Sequence, residues 1–149
     1  MTILKSIAPL ALALASTGTV LTATVGILGS APVAAAELSS SGNFVGDRSH
    51  PAAGTASVIR LKGGGYGIKF SSDFKTRGGP DLRVWVSEAS APRNGRAVRA
   101  ADHIDLGGLD SSSGEQIYRL PANYDLAKAR SVVIWCRAFG VFFGAASLS

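Results

Sequence analysis

The chain of 149 residues sets 15 Lys and Arg against 10 Asp and Glu and contains two His and a single Cys. Its basic residues stand singly, from Arg48 through Arg60, Lys62, Lys69, Lys75, Arg77, Arg83, Arg93, Arg96 and Arg99, with no run interleaved with aromatics, which argues against nucleic-acid binding. One cysteine excludes an internal disulfide.

Residues 6–29 carry no charge and follow Lys5, and Ala34-Ala35-Ala36 precede Glu37. This is the charged, apolar and small-residue order of a secretory signal over residues 1–36, with the cut expected between Ala36 and Glu37. An apolar stretch of roughly 20 residues could also stay in place as an anchor, the only route to a membrane in this chain. Residues 37–43 read as a polar, Ser-rich spacer, and residues 44–149 as one domain of common size. Removing the signal leaves 14 Lys and Arg against 10 Asp and Glu, a balance that favours solubility.

Short apolar segments then recur between turn formers. Residues 57–62 and 66–71 alternate in period two, with Ile59 and Leu61 opposing Arg60 and Lys62, and Tyr66, Ile68 and Phe70 opposing Gly67 and Lys69. Gly63-Gly64-Gly65 between them marks a hairpin loop. Further strands are expected over 82–87, 103–107, 116–120, 131–137 and 141–145, with one helical turn near 124–130. Residues 90–102, with Pro92, Asn94, Gly95 and three arginines, read as the longest and most mobile loop. The sum is an all-β fold, an antiparallel β-sandwich or partly closed barrel of about seven to nine short strands.

The lone cysteine, Cys136, closes the run Ser131-Val132-Val133-Ile134-Trp135-Cys136. In an oxidising compartment a single thiol is either buried and inert or chemically employed. Strand alternation places Val132, Ile134 and Cys136 on one face and Val133, Trp135 and Arg137 on the other, so Cys136 points inward. The strand end also allows a cavity lined by Trp135, Phe139, Phe142 and Phe143. His50 and His103 read as surface or edge residues, and Asp81 as a turn former preset by Pro80. Blue copper is disfavoured, because residues 37–149 hold no Met and no His follows the cysteine. No Ser, His and Asp order, phosphate-cradling loop or acid–base carboxylate pair is present, so the chain does not read as an independent hydrolase or transferase.

The motifs Gly42-Asn43-Phe44, Gly54-Thr55, Asp73-Phe74, Gly79-Pro80-Asp81-Leu82, Gly114-Glu115-Gln116-Ile117-Tyr118 with Leu120-Pro121, and Val132-Val133-Ile134-Trp135-Cys136 occur in this order. Together they make the chain resemble the DM-thirteen electron-transfer domain, whose members occur alone in secreted bacterial proteins and beside DOMON and cytochrome-type domains in animals. The resemblance implies a redox module of the cell envelope or exterior in which Cys136 acts as a bare thiol or holds a prosthetic group such as haem. His50, Trp135 and Phe139 are then candidates to surround that group, and a redox protein is the implied partner. The rival expectation is a non-catalytic envelope-binding module in which Cys136 fills the core and the 90–102 arginines meet an envelope component.

Overall fold

The computed structural model describes residues 40–149. The apolar segment read as a signal or anchor, and residues 37–39 of the spacer, lie outside the described residues. Among the described residues no helix is long and apolar enough to cross a membrane.

Among the described residues ten strands form: β1 (Ser41–Gly46), β2 (Ala52–Ala53), β3 (Thr55–Arg60), β4 (Tyr66–Phe70), β5 (Lys75–Thr76), β6 (Leu82–Ser87), β7 (His103–Gly108), β8 (Gln116–Arg119), β9 (Ser131–Cys136) and β10 (Val141–Ser147). Eight of them make one antiparallel sheet in the order β7-β6-β9-β10-β1-β3-β4-β8, and β2 pairs β5 in a small second sheet. The edge strands β7 and β8 approach each other, so the sheet curls into a nearly closed barrel and leaves little open edge. The expected all-β architecture is therefore the observed one. The two-residue strands β2 and β5 are additions too short for any periodicity to announce.

Alternation explains most of these strands. In β3 the inward Ala56 and Val58 are buried, and in β8 the inward Gln116 and Tyr118 alternate with exposed Ile117 and Arg119. The interior closes on Phe44, Phe70 and Phe74, whose rings meet at 4.6–5.1 Å. Each such buried ring contributes roughly 1.5–3 kcal/mol from area alone. Gly42 opens β1 where the chain passes the backbone of Ser147, because a Cβ there would lie 1.8 Å from the Ser147 carbonyl oxygen. Residues 41–43, read as the end of the spacer, are thus paired with β3.

The central strand β9 breaks the alternation, since all six of its residues are buried. Val132, Ile134 and Cys136 face the barrel interior, while Val133 and Trp135 join Trp85, Val98, Phe142 and Ala145 in a second cluster on the outer face. A short helix, α1 (Gly95–Arg99), covers that cluster. This corrects the reading of 90–102 as loose loop. The Asn94 side chain caps α1 by accepting from the Ala97 amide, and Val98 is fully buried, which ties the segment to the sheet. The turn expected near 124–130 is present as a 3-10 turn, Leu126–Lys128.

Candidate functional site

Cys136 ends β9 between Leu82 of β6 and Val141 of β10, and none of its surface is exposed. Its thiol donates to the Pro80 carbonyl at 3.0 Å. The next residue, Arg137, turns outward: its Nε donates to Asp81 Oδ2 at 2.6 Å and its backbone N–H to the Asp81 carbonyl at 3.0 Å. Asp81 sits at φ 54°, a left-handed conformation that Asp tolerates better than most residues. Pro80 therefore does preset a bend, but the Asp81 carboxylate holds Arg137. The Gly79-Pro80-Asp81-Leu82 motif and the Trp135-Cys136 motif, remote in sequence, form one clip in space. On its other side the 79–82 loop walls a surface cleft of about 330 Å³, completed by residues 108–112.

The other expected site residues do not gather around the sulfur. His50 lies over Phe143 with ring centroids 4.1 Å apart, and its Nδ1 meets Asp47 Oδ1 at 3.1 Å. Burial nudges the Asp47 carboxyl up, but the amides of His50 and Ser49 and the His50 ring outweigh it, leaving Asp47 below the usual carboxylate range. Trp135 is on the outer face of the sheet, and Phe139, 73% exposed, stands at the tip of the β9–β10 hairpin.

The aromatic hollow expected from Trp135, Phe139, Phe142 and Phe143 does not exist. A bulge between Phe142 and Gly144 leaves Phe143 unpaired and pointing into the barrel, while Phe142 and Trp135 pack outside it. The sheet itself separates them. Cys136, His50, Trp135 and Phe139 consequently do not fit a haem: the thiol lies among packed side chains of the barrel interior and donates to a carbonyl, while Trp135 is on the other side of the sheet and Phe139 at the exposed hairpin tip.

A different arrangement on the outer face escaped the sequence reading. His103 stacks on Trp85 at 4.1 Å and 19°, Trp85 stacks on Trp135 at 4.8 Å and 20°, and the Arg99 guanidinium lies 5.4 Å from the Trp135 ring centre. The sheet register explains it. Trp85 is directly opposite Val133, and His103 opposite Ser87, so the three rings are diagonal neighbours across β7, β6 and β9. Period-two alternation of Arg83, Trp85 and Ser87 in β6 was the available signal, but the strand order was not.

Beside Trp85, Arg83 Nε donates to Asp105 Oδ2 at 3.0 Å. Burial pushes the Asp105 carboxyl up, yet the Arg83 guanidinium and the Gly107 amide hold it below its ordinary value. His103, exposed and 3.4 Å from the Ala101 carbonyl, also lines a cleft of about 400 Å³ with Glu88, Asp102, Tyr124, Asp125 and Lys128. Lys128 Nζ pairs with Glu88 there at 3.1 Å.

Neither a curated protein nor a solved structure matches the chain. A family model does, over residues 43–148, which takes in the barrel, the 79–82 clip and Cys136. The chain belongs to the electron transfer DM13 family.

Proposed function

We propose that this domain is an extracytoplasmic electron-transfer module whose redox group is the bare Cys136 thiol, held under the 79–82 loop until that loop lifts. The observation that carries the reading is the meeting of two motifs at one point, with the Cys136 thiol on the Pro80 carbonyl and Arg137 on Asp81. Export is supported by the apolar, uncharged segment between Lys5 and Glu37. Once uncovered, the thiolate attacks a disulfide of a small molecule or partner protein, forms one S–S bond and releases one thiolate. A second thiol must come from that partner, because the chain has no other cysteine.

A second reading is favoured by the complete burial of the sulfur. In it Cys136 only fills the core, and the arginines Arg93, Arg96 and Arg99 on and before α1 meet an envelope component. Thiol titration of the native protein separates the two. Slow but measurable modification without unfolding supports the redox module, and modification only on global unfolding supports the binding module. The visible spectrum of protein purified from its native compartment is expected to lack a Soret band. A Soret band would overturn the bare-thiol assignment.

A further inference from the structure

We infer that the outer face of the small β2–β5 sheet is a binding site for a small organic carboxylate, its apolar body laid against Pro51, Ala52 and Ala53 and its charge held between Lys75 and Arg77. The inference goes beyond the redox reading and does not depend on Cys136.

The site follows from register. Strands β2 and β5 pair Ala53 with Lys75 and Ala52 with Thr76, so Ala52 and the buried Thr76 turn inward while Ala53 and Lys75 face out. The same alternation brings Pro51 and Arg77, both exposed, to the outer face one step further along the pair. With Ala52 and Thr76 these four bound a cleft of about 320 Å³, a volume that small ligands occupy. One strand thus contributes three small apolar residues without charge, and the other contributes two cations rooted about 7 Å apart.

Charge names the ligand. Lys69, Arg83, Lys128 and Arg137 are each answered by a carboxylate of the domain itself. The two cations of the cleft are not, and no acidic side chain lines it. Arg77 donates to the Ser49 carbonyl at 3.3 Å, which steadies the guanidinium without neutralising it, and among the described residues the Lys75 ammonium meets no partner. Like charges side by side repel each other, and an anion between them relieves that repulsion while the apolar wall takes its hydrocarbon. A carboxylate suits the pair, because the planar guanidinium can engage both of its oxygens and the ammonium adds a point charge. Inorganic phosphate would meet the cations and leave the apolar wall bare. A neutral hydrocarbon would cover the wall and leave the cations unanswered.

Titration of the full, nitrogen-15-labelled chain with naphthalene-2-carboxylate, read by amide NMR shifts, tests this. Saturating shifts are expected at residues 52–53 and 75–77 and their immediate neighbours, with a dissociation constant of about a millimolar or below. The neutral naphthalene-2-carboxamide and inorganic phosphate are each expected to bind at least about tenfold more weakly. The double change Lys75→Gln and Arg77→Gln should weaken the carboxylate at least about tenfold, and Ala53→Leu, which fills the cleft and keeps both cations, should do the same. All three positions are exposed, and an unchanged melting temperature shows that the fold is kept. Equal binding of the carboxamide and the carboxylate, undiminished binding by Ala53→Leu, or shifts that fall elsewhere on the barrel would overturn the inference.

Discussion

If the 79–82 loop is the cover of Cys136, the thiol should react in the native protein at a rate set by lifting that loop, not by unfolding the barrel. Lifting residues 79–81, with Leu82 kept in β6, breaks the thiol bond to Pro80, the Arg137 amide bond to Asp81 and the Arg137–Asp81 ion pair. Two hydrogen bonds at about 1 kcal/mol each and an exposed ion pair at up to about 1 kcal/mol sum to roughly 2–3 kcal/mol. At about 1.4 kcal/mol per factor of ten, native Cys136 should react roughly 30- to 150-fold more slowly than the denatured chain. Global unfolding at 5 kcal/mol or more would impose a slowing of at least about several thousandfold.

The assay is the rate of reaction with an aromatic disulfide reagent in buffer, in sub-denaturing urea and in full denaturant. A local opening exposes little surface, so its rate should hardly change with urea below the unfolding transition. Arg137→Ala should accelerate the native reaction by up to about fivefold, because the Arg137 side chain is 61% exposed and the pair is screened. A protection of many thousandfold that falls with urea in step with global unfolding would refute the cover. Reaction at the denatured rate in native buffer would refute the burial itself.

Four further outcomes follow from the packing. Burial, opposed only in part by the hydrogen bond from the Asp110 amide, pushes the Tyr118 hydroxyl up to about 12 from an ordinary value of 10.0. The neutral phenol is the form that folding favours, so this stability is present below pH 10 and lost as pH rises toward 12. Tyr118→Phe should remove that alkaline loss while costing about 1–2 kcal/mol at neutral pH from the lost bonds to Asp110 and Gln116, as measured by urea unfolding at several pH values. Asp105 is held below its ordinary value, so its contribution is present above the unfolded carboxylate range and lost as pH falls through the lower folded value; Asp105→Asn should flatten the acid limb of the stability profile. Gly42→Ala should cost more than about 2 kcal/mol, read as a lowered melting temperature, because its methyl meets the Ser147 backbone and not a movable side chain. Val98→Ala should cost about 2 kcal/mol by the same measurement, since Val98 is fully buried under α1; a change below about 0.5 kcal/mol would mean that the helix does not anchor to the sheet.

Most strands were readable because a half-buried strand writes its environment into alternate residues, as Ile68 and Phe70 do against Lys69. The same logic placed Cys136 inward and Arg137 outward. It could not reveal that both faces of β9 are covered, since that depends on α1, a helix held by one cap and one buried valine within a segment that looks like loop. Nor could it show the bulge at Phe143, which leaves that residue unpaired and shifts the pairing of Gly144 and later residues by one position. The expected aromatic hollow failed because strand alternation already puts Trp135 and Phe142 on the face opposite Cys136 and Phe143, and Phe139 stands exposed at the hairpin tip.

What residue order by itself determined is the class of fold, the inward direction of the sulfur and membership of a family, because each is written in local period or in motif succession. Tertiary structure alone decided that the thiol meets the Pro80 carbonyl and that His103, Trp85 and Trp135 form one stack. Those contacts join residues 18–56 positions apart, and which strands become neighbours is set by closure of the whole sheet, a property that no segment carries in its own pattern.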